Sequence, residues 1–267
     1  MRRTLLPLLV LGLFAESGQG QTPGYTRFLV PVFGSGIPGA YGTLWRSETW
    51  LRYAGLEEMS IAPGAFCRGA ECTIDGWVAP NLPAIPFEGP QGPLEPAILV
   101  HVETQHAAAV TFESRLRELS RSADSAGTEV PVIREDRMSS GPLYLLNVPM
   151  KTPSRYMLRL YGLPDVAERE VEIRYFRQPS TSGPNIDLDL VLLRVDRVAL
   201  RSRESFLPWN FYPALAEIGS LELFPELAAE DAIWIEVVPL SAGLRIWAML
   251  SITNNTTQQV TLVTPGK

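Results

Sequence analysis

Apolar and polar residues alternate with a period of two along most of this chain, the pattern of strands buried on one face and wet on the other. In Leu44–Tyr53, Trp45, Ser47, Thr49, Leu51 and Tyr53 share one face, and Arg46, Glu48, Trp50 and Arg52 the other. Val110, Phe112, Ser114 and Leu116 oppose Thr111, Glu113, Arg115 and Arg117. Tyr156, Leu158 and Leu160 oppose Arg155, Met157 and Arg159, and Val171, Ile173 and Tyr175 oppose Glu170, Glu172 and Arg174. One-sided burial of this kind belongs to antiparallel sheets.

The same pattern predicts strands at Thr26–Phe33, Thr73–Val78, Ile98–Glu103, Glu129–Arg134, Leu143–Val148, Ile186–Arg194, Ala232–Val238, Leu244–Thr253 and Val260–Thr264. The last two form a hairpin, with Leu244, Ile246, Ala248, Leu250 and Ile252 on its apolar face and a turn at Asn254–Thr257. Pro80–Pro96 reads as a long extended loop, and a short helix fits around Ala214–Phe224. The fold class is therefore all-β, with many short strands arranged as antiparallel β-sandwiches. A small, polar, proline-bounded stretch at 179–185 reads as a linker. It divides a larger sandwich, 21–178, from a smaller one, 186–267.

Residues 1–20 change the picture. Arg2 and Arg3 precede an apolar run from Leu5 to Phe14, and small residues follow, with Gly18-Gln19-Gly20 as the cleavage site. That is the layout of a secretory signal peptide, and the run is too short to span a membrane. No cysteine lies at the cleavage site, and no second long apolar stretch follows. The expectation is a secreted or periplasmic protein without a lipid anchor or a membrane span.

Composition adds exclusions. The whole chain carries a net charge of −6, and removing Arg2, Arg3 and Glu16 with the signal makes it −7. A mildly acidic surface repels nucleic acid and anionic lipid. An apolar fraction of 46% supplies a real core and argues against disorder. Lys151 and Lys267 are the only lysines, and the arginines that replace lysine elsewhere form no acid-free cluster that would read as an anion site.

Candidate chemistry is sparse. Cys67 and Cys72 are the only cysteines. In an exported protein the expected product is a disulfide closing a small loop, contributing roughly 2 kcal/mol through the unfolded chain. A zinc site would need two more ligands, with only His101 and His106 as imidazoles. Both histidines read as surface residues, His101 on the polar face of its strand beside Glu103. Gly34-Ser35-Gly36-Ile37-Pro38-Gly39 matches a dinucleotide-binding glycine pattern, but a strand follows where that chemistry needs a helix. Asp187 and Asp189 share a strand face, too few oxygens for calcium. Asn255-Thr256-Thr257 matches a glycan acceptor and reads more simply as a turn. Loop carboxylates such as Glu57, Glu58, Glu129, Glu135 and Asp136 are not tied in a pair suited to glycoside hydrolysis. The mixed charges on the outer strand faces read as cross-strand stabilisation. No motif calls for a catalytic residue, a metal or a cofactor.

Aromatic residues supply the binding hint. Trp50 falls on a polar strand face and Trp234 shares a face with Glu236, so either could stack on a sugar or meet a partner protein. Trp247 is expected between the two domains.

Several stretches, Arg27–Arg52, Gly127–Glu135, Leu145–Pro149, Tyr156–Leu163 and Ser251–Pro265, together resemble secreted β-sandwich proteins of soil-type bacteria. The resemblance implies export and an immunoglobulin-like architecture, and brings no functional residues with it. The expected role is a non-catalytic binding, adhesion or structural module at or outside the cell envelope. The alternative is a carbohydrate-binding or carbohydrate-active protein using exposed tryptophan and loop carboxylates. The partner is then a protein or a glycan.

Overall fold

The computed structural model describes residues 24–39, 42–62, 67–68, 71–72, 76–87, 97–120, 126–150, 153–178, 190–202 and 212–266. The expected signal peptide at 1–20, the 179–185 segment, Asp187 and Asp189 lie outside them. The first half contributes β1 (Tyr25–Val30), β2 (Ser35–Pro38), β3 (Leu44–Tyr53), β4 (Met59–Ala62), β5 (Cys67–Arg68) and β6 (Glu71–Cys72). These are followed by β7 (Gly76–Val78), β8 (Ile85–Phe87), β9 (Ile98–Glu103), β10 (Val110–Glu118), β11 (Thr128–Val130) and β12 (Ile133–Arg134). The second half holds β13 (Leu143–Pro149), β14 (Ser154–Gly162), β15 (Glu170–Arg177), β16 (Leu192–Ala199) and β17 (Ala214–Gly219). A single helical turn, α1 (Pro225–Ala228), precedes β18 (Ala232–Pro239), β19 (Ile246–Asn254) and β20 (Val260–Val263).

All strand pairing is antiparallel. Sheet I has the order β12-β1-β9-β4-β7, and sheet II the order β11-β10-β3-β2 with β8 also on β3. Sheet III runs β13-β18-β15-β16, and sheet IV runs β17-β14-β19-β20. Phe28, Val30, Val100 and Val102 of sheet I close on Leu51, Tyr53 and Val110 of sheet II to form one core. Val171, Ile173, Ile235 and Val237 of sheet III close on Leu158, Leu160, Ala248 and Leu250 of sheet IV to form another. A third apolar cluster joins the two sandwiches. It sets Leu29 and Leu99 of sheet I, with Val130 of sheet II, against Tyr161, Trp247 and Met249 of sheet IV. Trp247 is buried there, its ring 5.8 Å from that of Tyr161, as its sequence position predicted.

Three expectations need correction. Sheet pairing does not divide the chain at 179–185: β15 before that segment and β16 after it are hydrogen-bonded neighbours. The change of sandwich falls between Arg134 and Leu143, where the helical turn Glu135–Arg137 is followed by Ser139-Ser140-Gly141-Pro142. The helix expected around Ala214–Phe224 is strand β17 from Ala214 to Gly219, paired with β14, and only short helical turns follow it. Ala214 and Ala216 alternate towards the core, and Ser220 at φ 59° ends the strand in the left-handed region. His101 is buried at 3% exposure rather than on a wet face. Its strand, β9, has β1 and β4 on either side and is covered on both faces, so alternation misreads it.

Tyr161 also sets an alkaline limit. Its hydroxyl donates to the Pro31 carbonyl at 2.7 Å, and burial pushes its pKa well above the ordinary tyrosine value. Burial does the same to Tyr175, followed in effect by the field of Asp196. The folded chain therefore keeps protons that the unfolded chain releases above pH about 10, and stability falls as pH rises through that region. Urea midpoints measured on either side of it should decline, and Tyr161→Phe should flatten the decline. An unchanged slope in that variant would refute the assignment.

Candidate functional site

Among the described residues, the outward face of sheet III gathers several exposed apolar side chains, and strand alternation puts them there. In β15, Val171, Ile173 and Tyr175 point to the core, leaving Glu172, Arg174 and Phe176 outward. In β18, Ile233, Ile235 and Val237 point inward, leaving Trp234, Glu236 and Val238. On β13, Tyr144 and Leu146 point out, and a bulge follows, where Asn147 takes φ 55°. On the edge strand β16 a register shift near Leu192 leaves Leu192, Val195 and Arg197 on this face.

A polar ladder crosses all four strands at mid-height. The Tyr144 hydroxyl donates to Glu236 Oε1 at 2.8 Å, and Arg174 Nη1 donates to Glu236 Oε2 at 3.0 Å. Arg174 Nε reaches Glu172 Oε1 at 2.8 Å, and Arg197 Nε reaches Glu172 Oε2 at 2.9 Å. All four carboxylate oxygens thus accept a bond within the ladder. The bonds from Arg174 and Arg197 hold Glu172 below the usual carboxylate range, and those carboxylates in turn raise Arg174. The bond to Glu236 raises the Tyr144 hydroxyl, with burial adding to it. A general acid for glycoside cleavage needs the reverse shift, a carboxyl kept protonated.

Beside the ladder lies an apolar flank. Trp234 and Phe176 are cross-strand partners, Phe176 and Leu192 are the next pair, and Leu146 stands on β13. Leu192 is 50% exposed and Leu146 47%, and Leu190, Val191 and Val195 are exposed as well. Exposed apolar groups gathered on one face mark a contact surface more than a solvated one.

Trp50 is exposed as alternation predicted, at 40%, but on sheet II, with Glu113 and Pro86 as cross-strand partners. Trp50 and Trp234 therefore stand on different sandwiches and do not form one site. His106 contacts Tyr53, its Nδ1 2.9 Å from the hydroxyl, while that hydroxyl also lies 2.8 Å from the Glu57 carbonyl. A ring proton on Nδ1 satisfies both contacts of the Tyr53 hydroxyl, and Nε2 lies 3.2 Å from Gln105 Nε2. Cys67 and Cys72 are direct register partners across β5 and β6, and their side chains lie outside the described residues. Among the described residues no three His, Cys, Asp or Glu side chains gather as metal ligands, and no helix is long and apolar enough to cross a membrane.

The sequence placed Glu172 with Arg174, and Trp234 with Glu236, on common faces. It could not show that these belong to one sheet, because the pairing of β15 with β18 joins residues far apart in the chain. No protein-family model, curated protein or solved structure matches this chain.

Proposed function

We propose that this is an exported, non-catalytic protein of immunoglobulin-like β-sandwich domains that binds a partner protein through the outward face of sheet III, at or outside the cell envelope. The observation that carries the reading is the composition of that face. Its carboxylates are committed to arginine and tyrosine, and exposed Leu146, Leu192 and Val195 stand beside Trp234 and Phe176. Aromatic and aliphatic groups beside arginine are the make-up of protein interfaces. The basic and apolar N-terminus at 1–20 supports export, and the register of Cys67 with Cys72 fits a disulfide.

The test uses the full chain expressed in an export-competent bacterium. A photo-crosslinker placed at Leu192 or Tyr144 should give discrete adducts in the extracytoplasmic fraction, and one placed at Glu113 on sheet II should not. Val195→Arg with Leu146→Arg should abolish the adducts while the melting temperature holds. The exported protein, denatured without reductant, should take up no thiol alkylator. Retention of the chain in the cytoplasm, equal adducts from both sheets, or a hydrolytic activity lost with one carboxylate would overturn the proposal. A sugar-binding role is favoured by the exposure of Trp50, and would show as glycan binding lost on Trp50→Ala or Trp234→Ala.

A further inference from the structure

Sheet III ends on an open edge. Its order places β16 beside β15 and, among the described residues, beside no other strand. The Leu200 N–H donates to the Arg169 carbonyl at 2.7 Å, and the antiparallel pairs alternate from there. Val198, Asp196 and Arg194 therefore turn their backbone groups to β15, while Ala199, Arg197 and Val195 turn theirs away from the sheet. At eight residues β16 is the longest edge strand among the described residues. It holds no proline, glycine or lysine. Leu192 and Val195 are exposed along it, with Leu190 and Val191 just before.

The other edges are blunted by the devices that keep sheets from pairing. β13, on the far side of sheet III, is bulged between Leu145 and Val148 and ends on Pro149. β2 and β20 have four residues each, and β7, β11 and β12 have three or fewer. β17 has six, and its Leu215 exchanges backbone bonds with Arg201 at 2.9 and 3.0 Å. β16 carries instead a charge pattern that is its own complement. Arg194 Nε donates to Asp196 Oδ2 at 2.9 Å, and Nη1 to Glu226 Oε1 at 2.8 Å. Its guanidinium lies 3.9 Å from the centre of the Phe224 ring, which fixes it further. A half-turn about Val195 exchanges positions 194 and 196, and so sets arginine against aspartate on both sides of the axis.

We propose that β16 pairs antiparallel with β16 of a second copy of this chain, Val195 lying on the two-fold axis, so that two copies of sheet III join as one sheet. Val195 exchanges both of its free backbone bonds with its counterpart. Arg194 and Asp196 of the two copies form the flanking pairs, which are of the closer, non-hydrogen-bonded kind, and four charges alternate in sign about the axis. Arg194, Asp196 or Arg197 on the axis would each oppose like charges, and Leu193 stands at the register shift. Val198 or Ala199 there would leave most of the strand unpaired. The contact is isologous and closes on itself, and the bulged β13 edge offers no second site, so assembly stops at two. One edge strand buries less than a standard interface, so the dimer is expected to be weak, with Kd in the micromolar range.

The test is sedimentation equilibrium of the full chain from micromolar to millimolar concentration, which should show a monomer passing into a dimer. Val195→Pro removes the N–H on the axis at a position where an edge strand tolerates proline, and should weaken association at least about tenfold. Val195→Cys is conservative and keeps the test open if proline disturbs the fold. On mild oxidation it should give a disulfide-linked dimer, and Leu146→Cys beside the other edge should not. A monomer at every concentration, a dimer that Val195→Pro leaves as strong, or no linked dimer from Val195→Cys would each overturn the proposal. The edge is a different surface from the outward face of sheet III. Adducts from Tyr144 with another protein, formed by a chain that stays monomeric, would remove the dimer and leave the role of the face standing.

Discussion

Replacing Arg27 with methionine should destabilise the folded protein by about 3–5 kcal/mol, the usual result of removing one partner from a buried ion pair. Arg27 is 3% exposed and Glu135 5%. The guanidinium bonds Glu135 Oε2 through Nε at 2.9 Å and through Nη2 at 2.8 Å, and reaches Asp165 Oδ2 at 2.6 Å. Its own backbone N–H donates to Glu135 Oε1 at 3.1 Å. Burial works against the charge of Arg27, but the bonds and fields of Asp165 and Glu135 outweigh it and raise its pKa. Arg245 completes the cluster, 3.3 Å from Glu135 and 3.8 Å from Asp165. Methionine keeps much of the apolar stem and removes the guanidinium bonds from both carboxylates. Adding Glu135→Gln to Arg27→Met should therefore cost less than the sum of the two single changes, because both act on the same bonds between Arg27 and Glu135. Urea unfolding measures both. A cost under about 1 kcal/mol, or strict additivity, would show that solvent reaches the cluster in a way its burial does not permit.

Trp247→Ala should cost about 3–5 kcal/mol, the range for removing a large buried aromatic. The indole is 6% exposed and packs on Tyr161, in the cluster that includes Leu29 and Leu99 of sheet I. This contact and the Arg27 cluster tie the two sandwiches together, so the wild-type chain should unfold in one calorimetric transition. In the Trp247→Ala variant the transition should broaden or split as coupling weakens. A single sharp transition at the wild-type temperature would mean that the sandwiches do not depend on each other.

Local alternation made much of this molecule legible. It separated Trp45 from Trp50 on β3 and gave the buried faces of β14, β15 and β19, because one strand carries both its apolar and its polar residues. It failed where burial is decided by distant chain. His101 sits on a central strand whose second face is covered by the other sandwich, and no neighbour in sequence announces that cover. Met157, Arg159 and Met249 look like a solvent face, and part of that face is a floor under Leu116 and Val130. The 179–185 stretch reads as a boundary by composition, which carries no record that β15 before it and β16 after it pair. Trp234 could be paired with Glu236 by parity, but not with Tyr144, Arg174 and Arg197, which complete the ladder from other strands.

The shared cluster between the sandwiches also imposes an order in time. Every strand of sheets I and II precedes Leu143, so the first sandwich is complete in sequence before the second begins. Leu29, Leu99 and Val130 then form an apolar face whose cover, Tyr161 of β14 and Trp247 of β19, is made later. A chain that emerges from its N-terminus carries that face bare through much of its own synthesis, the interval in which collapsed intermediates are most prone to associate. Its last strands finish the second sandwich and also close the exposed side of the first.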